Sequence, residues 1–456
     1  MKDNVRSPAA AVATRAAHLK AGSTEFARRR KQLARIMGRD AIAILPAARV
    51  THRNSDVEHA YRQDSDFYYL TGFTEPEAVM VLVPGRAAAE YILFVRDRDP
   101  LRETWDGRRA GPGGAVERFA ADDAFPIGDL DEILPGLMEN RARIYYAMGS
   151  HPEFDQKVVG WLQALRVQAP RQGRHPPQEM IALDHVLHDM RLYKSRNETA
   201  LMRESGRIAA AAQVRAMRYT QPGRYEYEIA AELMHEYGRH NATAAYQPIV
   251  GGGSNSCILH YRENDARLED GDLLLVDAGA EYQYYASDIT RTWPVGGTFT
   301  RAQREVYEVV LEAQQAAIAA TKPGNHWNQA HEAAVETITR GLVSIGLLKG
   351  RVPKLIKDGA YRKYFMHRTG HWLGLDVHDV GDYKVGEQWR VLEPGMVMTV
   401  EPGIYIPAGI RGVPKRFWNC GIRIEDDVVV TATGCEVLTA DVPGDPDEIE
   451  AIMASG

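Results

Sequence analysis

Two stretches of the chain deliver acids from the ends of apolar runs. In LLLVD (residues 273 to 277), Leu273 to Val276 read as a buried strand that ends in Asp277, and Asp288 follows in ASDITRT. In MVMTVE (396 to 401) a second apolar run ends in Glu401, and Glu425 follows in GIRIED. An ionised carboxylate taken out of water without a partner costs several kcal/mol, so four acids placed this way require compensation.

The two stretches are copies of one unit. EDGDLLLVDAG (269 to 279) aligns with EPGMVMTVEPG (393 to 403), so that Gly271 stands six residues before Asp277 and Gly395 six before Glu401. Upstream of each unit is a histidine among apolar residues, His260 in CILHY and His378 in LDVHD. The simplest geometry is a duplicated half-domain folded about a pseudo-twofold axis, with equivalent strand ends meeting at the centre. Asp277, Asp288, Glu401 and Glu425 then converge, and their repulsion raises some pKa values unless cations sit among them. Two divalent ions about 3.5 to 4 Å apart, bridged by carboxylates, form a hydrolytic centre of the aminopeptidase or phosphatase kind. MHRTGHWLGLDVHD adds His367, His371 and His378 as nitrogen ligands or acid–base groups.

Plainer readings compete. A single acid after a strand is most often a turn residue or a helix cap, but matched offsets from matched glycines do not arise readily by chance. His367 and His371 have the spacing of a zincin helix pair, yet Gly370 and Gly374 argue against a helix and no glutamate follows His367. Cys257 lies in an apolar CIL context and reads as a packed thiol, not a nucleophile. Arg423, two before Glu425 on a strand, points to the same face as that acid and reads as its partner. His175, His235 and His331 carry no evident role, and EYQYYAS reads as a hairpin edge.

The elements that position these residues divide into two groups. Residues 24 to 37 have the apolar spacing of an amphipathic helix closed by Gly38, and β-rich runs follow at 41–45, 79–83, 91–95 and 144–147, as in a compact α/β domain. APRQGRHPP (169 to 177) reads as a surface connection. A capping box at Ser195–Glu198 opens a helix to about Tyr219, and further helices are expected at 226–240, 303–320 (opened by a capping box at Thr300–Gln303) and 327–347. Strands are expected at 273–276, 396–400, 422–424 and 428–430. These place the domain boundary between residues 184 and 194 and give an α/β (α+β) chain of two domains, 1–190 and 191–456.

At 456 residues the chain can bury a sizeable core, and its net charge of -6 offers no global attraction to nucleic acid or to an anionic membrane. A pI near 6.2 and a mean hydropathy of -0.36 describe an ordinary soluble protein. Three cysteines with no ligand-type spacing fit a reducing cytoplasm. The alanine-rich SPAAAVATRAAHLKAG is broken by Arg15, His18 and Lys20 before it reaches signal-peptide length, and no run approaches a membrane span.

Asp277, Asp288, His371, Glu401 and Glu425, with DAGAEYQYYASDITRTWPV, HWLGLDVHDVG, LEPGMVMTVEPGIYI and GIRIEDDVVVT, resemble the metal site of the pita-bread metallopeptidases, within them the aminopeptidase P family. FARRRKQLARIM, YRQDSDFYYLTGFTEPEAVMVL and ETWDGRR extend the resemblance to that family's creatinase-like N-terminal domain. It implies a C-terminal pita-bread domain holding two divalent metal ions, manganese by family habit. Asp288 and Glu425 would bridge them, Asp277 would chelate one, and His371 with Glu401 would hold the other. Departures from the family pattern, as between Gly381 and Leu392, lie in loops and bear on substrate preference alone.

The implied reaction releases the first residue from peptides with proline second. Glu401 would move the proton, and His378 with His260 would position substrate and stabilise the oxyanion. His367 and Tyr405 would receive the proline ring, and Tyr246 and Arg423 would support the ligands from behind. Trp105 of the first domain would approach an active site, that of a neighbouring subunit in a dimer or tetramer. A prolidase restricted to Xaa-Pro dipeptides is the nearest alternative. Creatinase-type hydrolysis and a non-catalytic binding module are disfavoured by the full ligand set.

Overall fold

The structure, a computed structural model, describes residues 24–455, and in the helix Pro152–Gln172 the side chains as far as residue 167. The alanine-rich N-terminal stretch discussed above lies outside the described residues. The chain divides into two compact units that part between Met190 and Arg191, inside the helix Leu183–Leu192.

The N-terminal unit is built on a six-stranded sheet in the order Asp123–Pro126, Tyr91–Val95, Val79–Leu82, Ala41–Pro46, Arg143–Tyr145, Glu179–Ile181. Only Val79–Leu82 runs against its neighbours. The central strands are buried along their whole length, which is why they read as continuous apolar runs and not as alternation. Residues 24–37 are helical as expected. The expected connection at 169–177 is shorter than the sequence suggested: the helix from Pro152 continues to Gln172 and is closed by Gly173 in the left-handed region. Trp161, Leu162 and Leu165 on that helix are core residues, and their packing carries the helix on into the polar stretch.

The C-terminal unit repeats one order twice. Helices Arg196–Tyr219 and Glu226–Arg239 precede the strand Leu273–Asp277, and helices Arg301–Ala320 and Asn328–Ser344 precede the strand Val397–Val400. Both expected capping boxes are made, Ser195 with Glu198 and Thr300 with Gln303. Leu273–Asp277 lies between Ile249–Gly252 and Thr290–Pro294, antiparallel to both. Val397–Val400 pairs antiparallel with Asp426–Val430, and Gly403–Ile406 with Cys420–Arg423. The matched glycines explain themselves: Gly271 (φ 86°) and Gly395 (φ 94°) both adopt the left-handed conformation that turns the chain into its strand. One core, from Ile208 on the first helix to Val428 on the last long strand, joins both halves. Among the described residues no helix is long and apolar enough to cross a membrane.

Candidate metal centre

Asp277 is the last residue of its strand, in register with Ile249 on one side and Thr290 on the other, so its backbone is fixed from both edges. The chain then makes the hairpin Ala280–Tyr282 to Tyr285–Ala286, whose turn residues Gln283 and Tyr284 have φ of 49° and 72°. Gly279 begins it where a Cβ would stand 1.7 Å from the Ser287 carbonyl oxygen, so no larger residue fits. This turn returns Asp288 beside Asp277. The Tyr246 hydroxyl spans the pair, donating to Asp277 Oδ1 at 2.5 Å and contacting Asp288 Oδ1.

Glu401 follows the second strand directly, and its N–H donates to Thr369 O at 2.9 Å. His371 is fixed at both ends: its N–H donates to Thr399 Oγ1 (3.1 Å), and its ring Nδ1 lies 2.9 Å from Trp372 O. A carbonyl only accepts, so Nδ1 carries a proton and Nε2 is the ring nitrogen turned to the acids. It stands 3.4 Å from Asp288 Oδ2 and 3.9 Å from Glu401 Oε1. Ligand atoms of Asp288, His371 and Glu425 lie within 4.8 Å of one another. Asp277, Asp288, Glu401, Glu425 and His371 line one pocket of about 210 Å³ together with His260, His367 and His378.

Each half holds the acids of the other. The Glu425 N–H donates to Thr290 O (3.0 Å), and Thr290 Oγ1 donates to Glu425 Oε2 at 2.5 Å. In return Asp427 Oδ2 accepts the Asp288 N–H at 3.0 Å. Arg423 crosses the same boundary, with Nη2 to Asp277 Oδ2 (2.5 Å), Nε to Thr290 Oγ1 (3.0 Å) and Nη1 to the Tyr405 hydroxyl (2.9 Å). Its partner is thus Asp277 and not the nearby Glu425 to which the strand periodicity pointed.

Charge in this pocket is out of balance. Burial pushes the Glu401 carboxyl up to about 7; His371 and Arg423 oppose the rise, and Asp288 and Asp277 add to it. Burial, then Asp288, Glu401 and Asp277, hold Glu425 well above the ordinary carboxylate range. For His371 burial works against the proton, but the bond to Asp288 and the charges of Asp288 and Glu401 outweigh it and raise the imidazole to about 9. Four carboxylates share the pocket with Arg423 and His371, and these shifts show protons retained on the acids in place of the positive charge that divalent cations would supply. The donors, carboxylate oxygens and one imidazole, fit hard or borderline divalent ions and include no thiolate.

Burial and His371 lower His378, whose ring centroid lies 4.3 Å from that of His371. Burial, with Arg423, depresses His367 to about 3, and its Nε2 meets the Tyr405 hydroxyl at 2.9 Å. Tyr405 itself is 1 % exposed, so its hydroxyl and not an open ring face serves the site. His260 lines the pocket from the turn that follows the short helical segment Gly253–Cys257. Trp105 lies on the helix Pro100–Asp106 of the N-terminal unit with 86 % of its surface exposed.

Sequence reading missed Thr290 and Asp427, although both stand within two residues of a ligand candidate. It also gave no role to His331, whose Nδ1 lies 2.8 Å from Thr369 Oγ1, on the residue that receives the Glu401 N–H. A buried ion cluster escaped it too: Asp379 takes Lys194 Nζ at 2.9 Å and Arg191 Nη2 at 2.6 Å. Asp379 follows His378 in the chain, so this cluster anchors the loop that carries that imidazole.

The sequence profile of metallopeptidase family M24 matches residues 200–432, the span that contains the whole pocket. The chain belongs to metallopeptidase family M24. The profile of the aminopeptidase P N-terminal domain matches residues 26–145, which hold five of the six strands of the N-terminal sheet. Among M24 relatives, the Xaa-Pro aminopeptidase of Escherichia coli K12 is 46% identical over 433 residues, covering 94% of this chain and 98% of its own. A solved Pseudomonas aeruginosa aminopeptidase superposes with a TM-score of 0.94 at 59% identity, covering 95% of this chain and 98% of its own. A zinc-substituted E. coli aminopeptidase P in complex with product superposes at 0.92 with 46% identity, covering 95% and 98%. The duplicated unit is therefore the pita-bread fold of M24, and its pocket is that of a metallopeptidase.

Proposed function

We propose that this metallo-exopeptidase, an Xaa-Pro aminopeptidase, works through two divalent ions, manganese in the cell, held by Asp277, Asp288, His371, Glu401 and Glu425. The observation that carries the reading is the convergence of four carboxylates, two buried and two half-buried, on one pocket with the histidine whose Nε2 is turned toward Asp288. Bound ions supply Lewis acidity toward water and the scissile carbonyl.

The remaining steps belong to side chains. Glu401, rigid at its strand end, takes the proton of the attacking water and passes it to the departing proline nitrogen. His378, kept neutral by burial and by His371, donates an N–H to the oxyanion, and His260 closes on the substrate from the other half. Xaa-Pro bonds lack the N–H that backbone-reading proteases use, so the ring is recognised by shape. His367 supports that contact, steadied by Tyr405, while Tyr246 and Arg423 hold the ligands in place. The α-amino group enters first, toward the carboxylates, which sets the cut after one residue.

Trp105 is assigned to substrate contact within a dimer or tetramer, since an indole so exposed is surface for another subunit to cover. Three free thiols accord with a cytoplasmic location. The test is direct. Chelated protein regains cleavage of an Xaa-Pro-Xaa tripeptide on addition of Mn²⁺, and Glu401→Ala does not. Activity confined to Xaa-Pro dipeptides would instead establish a prolidase.

A further inference from the structure

The pocket contains two arginines with opposite circumstances. Arg423 is buried and committed to Asp277, Thr290 and Tyr405. Arg368, which follows His367 in the chain, also lines the pocket but is exposed, and among the described residues no carboxylate pairs with it. It is nevertheless held: its guanidinium lies over the Trp389 ring, 4.9 Å from the centroid.

Trp389 is itself a placed residue. It belongs to the small hairpin Lys384–Val385 to Gln388–Trp389, and Lys384 Nζ stands 4.7 Å from the same ring. The base of this hairpin is tied to the metal pocket, because Tyr383 stacks on Trp372, ring centroids 5.5 Å apart and 3° from parallel. Trp372 follows His371 directly. The indole therefore holds Arg368 at the pocket on a support that shares its anchor with a ligand candidate.

A peptide carries its positive charge at the amino end and its negative charge at the other. The carboxylates lie at the buried end of this pocket, which suits the ammonium, and Arg368 lies at the open end beside the histidine assigned to proline. We propose that Arg368, stacked on Trp389, is a specificity-determining residue that reads the third position of the substrate by binding a carboxylate beyond the proline. That carboxylate is the free C-terminus of an Xaa-Pro-Xaa tripeptide or the side chain of an acidic third residue. The inference rests on the Xaa-Pro reading given above. A guanidinium set over an indole is preorganised for a carboxylate, so little conformational freedom is lost on binding.

The test compares the manganese-loaded enzyme with Arg368→Met on Ala-Pro-Ala, Ala-Pro-Ala-amide and Ala-Pro-Asp-amide. For the wild type, kcat/KM should favour each of the two carboxylate-bearing peptides over the plain amide by about two- to fivefold, mainly through KM, the range of an exposed ion pair. In Arg368→Met both ratios should fall to near one, and in the wild type they should shrink as salt rises. Loss of only the tripeptide preference assigns the site to free C-termini, and loss of only the aspartate preference to acidic side chains. Because each ratio is internal to one protein, a poorly folded variant lowers both numbers without moving it. Equal ratios in the two proteins overturn the proposal. Failure of the wild type to cleave any of the three peptides overturns the Xaa-Pro reading and this inference with it.

Discussion

Removing the metal should reverse the pH dependence expected of a cluster of acids. With the ions chelated away, Glu401 titrates at about 7 in the folded protein against 4.5 for an ordinary glutamate. Its folded value is the higher one, so the folded state binds the extra proton. The resulting stability is full below about 4.5 and gone above about 7. His371, at about 9 against 6.5, acts in the same sense, with its contribution intact below about 6.5 and lost above about 9. Each shift corresponds to about 3 kcal/mol, so the chelated protein should lose roughly 3 to 6 kcal/mol between pH 5 and 9. Urea unfolding of chelated and Mn²⁺-loaded protein across that range measures the difference, and the loaded protein should lack this loss. The same protons must leave when metal enters. At pH 6 Glu401 and His371 are both protonated in the metal-free pocket, so loading should release about two protons per site. Calorimetry in two buffers of different ionisation enthalpy counts them. Metal binding whose heat is independent of buffer, or chelated protein equally stable at pH 5 and 9, would falsify the electrostatic account of the pocket.

Two further expectations concern residues that never touch metal or substrate. Thr290→Val removes the hydroxyl that donates to Glu425 and accepts from Arg423, at nearly constant volume. It should weaken Mn²⁺ binding by about 10- to 100-fold, read by metal titration against activity, and unchanged affinity would mean that Glu425 is placed by its backbone alone. Asp379→Ala leaves Lys194, whose side chain is 1% exposed, without this carboxylate, while Arg191 keeps Asp376 at 2.7 Å. It should cost about 3 kcal/mol in urea unfolding, and a cost under about 1 kcal/mol would show that water reaches the Lys194 ammonium.

The parts of this protein that were legible in its sequence are those fixed by neighbours in the chain. Asp277 and Glu401 could be found because a strand end and a glycine turn are local features, and the duplication made each vouch for the other. The capping boxes at Ser195 and Thr300 were legible for the same reason. What could not be read depends on pairing across the fold. Nothing near Arg423 says that it crosses to Asp277 instead of serving Glu425, and nothing near Asp379 announces Lys194 and Arg191. The helix through residues 169–172 was obscured in a different way, since local turn chemistry was overruled by the packing of Trp161, Leu162 and Leu165. Tyr405 marks the limit of family resemblance: the residue could be named, but only the packed structure distinguishes its hydroxyl from its ring face.

The exchange of hydrogen bonds between the halves has a consequence for when the enzyme can exist at all. A ribosome makes Asp277, Asp288 and Thr290 long before Glu401, Arg423, Glu425 and Asp427. Until those later residues arrive, the earlier acids have no crossing bonds and only two of the five proposed ligands are present. A chain interrupted between the two halves is thus a peptide with two awkward aspartates, not a weak protease. Hydrolytic power appears in one step, with the closing of the second half onto the first, and the cell is spared a partly made enzyme that cuts.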